Sequence, residues 1–207
     1  APPGAGKTTI VPLALMDEAW LTDKKILVLE PRRIAAKSAA TRMASLLREP
    51  VGETVGYRMR LESKVSRSTK IEVITEGILV RMLQQDPSLE QAGLVIFDEF
   101  HERNLDSDVA LALCLKGRSI FRESEPLKLL IMSATLDSEK IVNLISAPVL
   151  TSQGKQFPVD VIYTGASKPR DRIADRVVTT IRTAINDNPS SSMLVFLPGQ
   201  AEIGRVR

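Results

Sequence analysis

Four short β-type runs, each ending against a polar or charged residue, limit what this chain can fold into. They are Ile26-Leu27-Val28-Leu29, Ile71-Glu72-Val73-Ile74, Leu94-Val95-Ile96-Phe97 and Leu129-Leu130-Ile131-Met132. Runs this short and this apolar fit strands buried on both faces. Helical patterns fall between or beside them, over residues 7–19, 34–47, 77–85 and 106–115. Strands alternating with helices predict an α/β fold with a parallel sheet covered on both faces. In open sheets of that kind ligands bind beyond the carboxyl ends of the strands. The residues with the clearest chemistry in this chain stand at those ends.

The pattern is interrupted once. Residues 147–158 contain two prolines, Gly154 and several polar residues, and read as a linker or domain boundary. Beyond it the alternation restarts, with a strand expected over 159–163, a helix over 172–186 and a strand over 193–197. The division expected is therefore a first domain over 1–152 and the start of a second over 153–207. The chain opens on Ala1 inside a phosphate-loop pattern and closes on Arg207 a few residues into a new helix. It reads as a piece of a longer protein. The strand that should precede the loop is then missing, and the sheet is expected to lack a central member.

Hydrophobic residues make up 43% and charged residues 26% of the 207, which supports a packed core and argues against disorder. No apolar run approaches the ~18 residues that span a bilayer, and no basic-then-apolar signal opens the chain. The single cysteine, Cys114, excludes an intrachain disulfide and fits a reducing cytoplasm. A net charge of +3 is too small to argue for nucleic acid, because the field depends on clustering.

Ala1-Pro2-Pro3-Gly4-Ala5-Gly6-Lys7-Thr8 matches the Walker A pattern with alanine in place of the first glycine. Glycines let backbone N–H groups turn inward around phosphate oxygens, and the helix that follows adds a favourable dipole. Pro3, Gly4, Ala5, Gly6, Lys7, Thr8 and Thr9 are the candidate nucleotide-binding residues. Lys7 would reach the β- and γ-phosphates, and the Thr8 hydroxyl would bind Mg²⁺. The plainer alternative is a Gly/Pro turn that caps a helix.

The run Leu94–Phe97 leads straight into Asp98-Glu99-Phe100-His101. Asp98 would hold Mg²⁺, and Glu99 would position and deprotonate an attacking water. An acidic turn after a buried strand is common, so the functional reading draws its weight from the phosphate loop upstream. His101, the only histidine, is counted with the catalytic residues as a hydrogen-bonded link from the nucleotide site to a neighbouring element. Proton transfer by it is not implied.

With these two motifs placed, the chain resembles the DEAH-box family of superfamily two helicases. It looks most like the bacterial HrpB type, whose acidic motif also reads D-E-F-H. The resemblance covers essentially the whole chain and rests on ordered segments rather than on any one of them. Leu29-Glu30-Pro31-Arg32-Arg33-Ile34-Ala35-Ala36 resembles the first nucleic-acid motif and Thr75-Glu76-Gly77-Ile78-Leu79 the next. Ser133-Ala134-Thr135 resembles the motif that couples the two sites, and 194–203 the start of the second lobe's motif. Val55-Gly56-Tyr57 with Arg60, and Phe157-Pro158-Val159, match further landmarks.

That resemblance implies two RecA-like lobes, ATP or another NTP with Mg²⁺ between them, and single-stranded nucleic acid, RNA by preference, across both. It places Arg32, Arg33, Arg60, Thr75 and Gly77 along the nucleic-acid backbone. It makes Arg42 a nucleobase-stacking residue, and Ser133 and Thr135 reporters of nucleotide state. A cytoplasmic monomer is implied, with no membrane partner. The family's late arginine motif would fall beyond Arg207, so this piece is expected to bind Mg-nucleotide weakly and hydrolyse it negligibly.

The residues lend separate support. Arg32 and Arg33 stand at a strand–helix junction, where guanidinium forks and helix N–H groups both suit phosphate. Between 58 and 70 lie Arg58, Arg60, Lys64, Arg67 and Lys70 against Glu62 alone, either a phosphate-binding patch or an ordinary solvated hairpin. Ser133-Ala134-Thr135 by itself is equally a helix cap. With 4% aromatic residues, contacts to phosphate and sugar fit better than base stacking. Two other functions remain open. A P-loop kinase or switch NTPase would need no arginine pair after its second strand, and a non-enzymatic nucleic-acid-binding module would need no Glu99.

Overall fold

In the computed structural model, residues 6–134, 139–152, 158–166 and 172–207 are described. The chain divides into two compact units, Ala1–Gln156 and Phe157–Arg207.

The first unit is built on strands β1 (Lys25–Leu29), β2 (Val55–Met59), β3 (Glu62–Lys64), β4 (Ile71–Ile74), β5 (Ala92–Phe97) and β6 (Lys128–Ile131). They lie in the order β3-β2-β4-β1-β5-β6, parallel throughout except for the β2–β3 hairpin. All four sequence runs are strands. The hairpin strands lie outside those four runs, although a hairpin is one of two readings of 58–70: β2 carries Gly56 and Arg58 between its apolar residues and lacks a continuous apolar run. Among the described residues β2, β4, β1 and β5 each have a neighbour on both sides, and β3 and β6 are the two edges.

Alternation within each strand sorts its side chains onto two faces. Ile26, Val28, Ile71, Val73, Leu94 and Ile96 form one core with helix α2 (Arg33–Leu46). That helix presents Ala36, Ala39, Ala40 and Ala44, whose small side chains let it sit close to the sheet. Helix α1 (Lys7–Leu15) adds Val11, Leu13 and Leu15 to the same layer. Leu27, Leu29, Ile74, Val95 and Phe97 form the opposite core with α3 (Glu76–Gln85) and α4 (Leu105–Phe121). In α4, a Cβ at Gly117 would stand 2.1 Å from the Pro87 carbonyl oxygen, so only glycine fits there. Helix α1 is shorter than its periodicity predicts and is followed by a 3₁₀ turn at Ala19–Leu21, whereas α4 is longer. Helix α5 (Glu139–Ile145) follows β6.

The second unit holds α6 (Ile173–Asp187) and α7 (Gln200–Val206). The strands expected over 159–163 and 193–197 do not form. Ile162, Tyr163, Leu194 and Phe196 are 79–89% exposed, and neither segment has a ladder partner among the described residues. A strand gains its hydrogen bonds only from a neighbour, so the apolar pattern alone cannot produce one. No helix among the described residues is long and apolar enough to cross a membrane.

Candidate functional site

The site is assembled at the carboxyl ends of neighbouring parallel strands. β1 delivers Glu30, β4 delivers Thr75, β5 delivers Asp98 and Glu99, and β6 leads to Ser133. Backbone bonds tie these ends together. Glu30 N donates to Ile74 O at 2.9 Å, Asp98 N to Leu29 O at 3.1 Å, and Phe100 N to Met132 O at 3.1 Å.

Helix α1 starts at Gly6, whose φ of 75° lies in the left-handed region where glycine is unstrained. Among the described residues no side chain caps this helix and no acidic residue stands in its first turn, so its positive end suits an anion. Lys7, Thr8 and Thr9 are half-buried in that first turn. Pro3, Gly4 and Ala5 lie outside the described residues. The Thr8 hydroxyl donates directly to Asp98 Oδ2, across 90 residues of sequence.

Asp98 is buried at 4% exposure, and its Oδ1 accepts from Glu99 N at 2.8 Å. Glu99 adopts a left-handed conformation (φ 47°), and its side chain is one-third exposed. Its Oε2 lies 3.3 Å from His101 Nδ1, and Ala134 N lies 3.4 Å from the same nitrogen. Nδ1 donates to Glu99 when it carries the proton and accepts from Ala134 when it does not. His101 thus stands between the acidic turn and the segment that follows β6.

Glu30 belongs to this site and was not anticipated there. It is 4% exposed and its carboxyl is pushed up to about 8, by burial first and then by the charges of Asp98, Glu99 and Glu102. The crowding of negative charge and the all-oxygen donor set of Thr8 and Asp98 fit a hard divalent cation. Among the described residues no three His, Cys, Asp or Glu side chains form a closed metal cage. Mg²⁺ needs none, since it keeps several waters and takes one or two protein oxygens beside the phosphates.

The basic residues lie along the adjoining edge. Arg32 is the N-cap residue of α2, and its NH2 is 2.6 Å from Glu102 Oε1. Arg33 donates to Arg60 O at 3.4 Å and joins α2 to the hairpin turn. Neither α2 nor α3 has a side-chain cap, and Thr75 is the N-cap of α3. A Cβ at exposed Gly77 would meet nothing within 4 Å, so the surface there is open. The basic run of 58–70 is partly neutralised: Arg58 pairs with buried Glu72 at 3.1 Å and Lys70 with Asp17 at 3.3 Å. Arg60, Lys64 and Arg67 have no ion pair among the described residues. Arg42 is exposed on α2. Ser133 lines a cavity of about 530 Å³ with Phe100, His101 and Arg103. Thr135 lies outside the described residues.

The DEAD/DEAH box helicase family model matches residues 1–144. The chain belongs to the DEAD/DEAH box helicase family. It is 48% identical over 208 residues to the ATP-dependent RNA helicase HrpB of Escherichia coli, covering 100% of this chain and 25% of that protein. It is 39% identical over 202 residues to the pre-mRNA-splicing factor ATP-dependent RNA helicase prp22 of Schizosaccharomyces pombe, covering 97% and 17%. The crystal structure of the Escherichia coli DEAH/RHA helicase HrpB superposes with a TM-score of 0.88, covering 100% of this chain and 26% of that one. The chain therefore spans about a quarter of the length of its bacterial relative, and its first unit has the RecA-like helicase fold. Besides Glu30, sequence reasoning missed Glu102 and the buried Glu76, whose carboxylate accepts from Asn104 Nδ2 at 2.8 Å and Ser107 Oγ at 2.5 Å. Their only signal was position, beside residues already singled out.

Proposed function

We propose that this helicase-family chain is the ATP-binding body of an ATP-dependent RNA helicase or RNA–protein remodeller. The observation that carries the reading is the direct bond from Thr8 to Asp98, which joins the phosphate loop to the acidic motif. On this reading residues 1–152 are the first RecA-like domain and 153–207 the start of the second. The phosphate-loop residues 3–9 cradle the triphosphate, with Lys7 on its terminal phosphates. Thr8 and Asp98 hold Mg²⁺, which when bound withdraws charge from the phosphate oxygens. Glu99 accepts a proton from the attacking water. His101, bonded alternately to Glu99 and Ala134, links that base to the segment of Ser133 and Thr135. Arg32, Arg33, Arg60, Thr75 and Gly77 take up the nucleic-acid backbone, and Arg42 faces the nucleobase. Such contacts are salt-sensitive and largely sequence-independent. A cytoplasmic monomer fits the reading.

Glu99→Gln in the intact protein is the deciding experiment. Removing a general base costs about 10²–10⁴ in rate. Turnover should fall by that factor while a fluorescent ATP analogue still binds with Mg²⁺, because Thr8 and Asp98 are untouched. Unimpaired turnover would remove Glu99 from the chemistry and return the kinase-like alternative. Residues 1–207 alone should bind the analogue but hydrolyse ATP negligibly.

A further inference from the structure

Glu102 has no role in any of the motifs, yet it touches both functions proposed for the molecule. Its Oε1 accepts from Arg32 NH2 at 2.6 Å, the guanidinium assigned above to a nucleic-acid phosphate. Its backbone N donates to Glu99 O at 2.9 Å, closing the 3₁₀ turn Phe100–Glu102 that begins at the proposed base. That turn is short and anchored. Phe100 is 4% exposed and meets Phe97 edge to face, with ring centroids 6.0 Å apart. Glu99 and Arg103, at its two ends, both hold φ of 47°, a conformation that non-glycine residues adopt at a cost. A displacement of Glu102 therefore bears directly on the peptide units of Glu99, Phe100 and His101.

A carboxylate and a phosphate present the same oxygen pair to an arginine fork and compete for it. The two side chains are 71% and 32% exposed, and ion pairs in that setting contribute little. An incoming phosphate can displace such a partner.

We propose that Glu102 is a positioning residue that couples nucleic-acid binding to the hydrolytic site. Without nucleic acid it holds Arg32. When Arg32 engages a phosphate, Glu102 is released, and the turn carrying Glu99 and His101 is free to settle into its hydrolytic arrangement. Because the Arg32–Glu102 bond exists in only one of the two states, it supplies the differential interaction that coupling requires. Linkage makes the effect reciprocal: a nucleotide state that frees Glu102 strengthens nucleic-acid binding by the same factor. The proposal rests on the helicase reading above.

The test uses the intact protein, with turnover measured with and without a single-stranded oligouridylate, and the affinity of the fluorescein-labelled oligomer measured without nucleotide. Glu102→Gln keeps the shape and removes the charge. It should bind the oligomer about 3–10-fold more tightly and raise basal turnover, so that stimulation falls at least threefold with KM for ATP unchanged. On an Arg32→Ala background the same Glu102 substitution should change none of these quantities, whereas a merely structural Glu102 would act equally on both backgrounds. Wild-type affinity and stimulation in Glu102→Gln, or equal effects on both backgrounds, would overturn the proposal. If the wild-type protein shows no oligomer-stimulated turnover, the helicase reading itself fails and takes this proposal with it.

Discussion

Arg122 offers a test of how the strand bearing the acidic motif is held. It is 7% exposed at the end of α4, and its NH1 donates to Ala92 O at 2.5 Å and Leu89 O at 3.3 Å. Its Nε donates to Glu125 O at 3.0 Å. Ala92 opens β5, and both carbonyl-bearing residues are at most 1% exposed, so water cannot replace a lost donor. Leu89 O also accepts from Ala92 N at 2.8 Å, so Arg122→Met keeps most of the packing and leaves one buried acceptor, Ala92 O, unpaired. An orphaned buried acceptor costs about 1–3 kcal/mol, and the loss should fall in that range. Arg122→Lys retains one charged donor and should lose about half as much. Trp20, the only tryptophan, lies in the first unit with Lys128 Nζ 4.9 Å from its ring centre. Its fluorescence in urea therefore follows that unit alone, which matters because a chain of two units need not unfold in one step. With a slope of about 1–3 kcal/mol per molar, the Met variant should shift the midpoint down by about 1 M at unchanged slope. A shift corresponding to less than ~1 kcal/mol would show that the Ala92 carbonyl does not depend on Arg122.

Two further outcomes follow from the buried carboxyls. Glu30 has a folded-state pKa of about 8 against an ordinary 4.5, so the unfolded chain ionises first as pH rises. The folded state loses stability progressively between those values. Glu30→Gln should be neutral near pH 4 and increasingly stabilising up to pH 8; a pH-independent difference in Trp20-detected urea midpoints would contradict this. Glu76 joins the start of α3 to Asn104 and Ser107 of the α4 cap, with its carboxyl pushed up chiefly by burial. Glu76→Ala should cost about 1–3 kcal/mol and speed amide hydrogen exchange in the first turn of α3 before the rest of the helix.

The core strands were legible because each is buried on both faces and so carries a nearly unbroken apolar run, as in Leu94–Phe97. The hairpin was harder to see, since β2 lies near the edge and Gly56 and Arg58 interrupt its pattern. Residues 159–163 and 193–197 show the opposite error: they carry the pattern of strands without a neighbour to pair with. The site was readable where chemistry is local in sequence, at the phosphate loop and at Asp98–Glu99. It was not readable where chemistry comes from convergence. Glu30 and Asp98 meet only because β1 and β5 are adjacent in the sheet, and Arg32 meets Glu102 only because helices start at those strand ends.

Position 99 shows what the fold gives up for the site. A left-handed glutamate costs of order 1 kcal/mol relative to glycine, which adopts that conformation freely. The side chain recovers little of this, since it is one-third exposed and its approach to His101 is a long 3.3 Å. Glu99→Gly should therefore hold or raise the stability of the first unit by up to about 1 kcal/mol, while Glu99→Gln, which keeps the strain, should leave it unchanged. Both substitutions should abolish turnover. The comparison separates backbone from side chain: were the glycine variant less stable than the glutamine variant in urea, the turn would not be strained and Glu99 would owe its conformation to contacts of its own. The expected order, a more stable protein without a base, identifies Glu99 as a residue kept for its chemistry at a cost in stability.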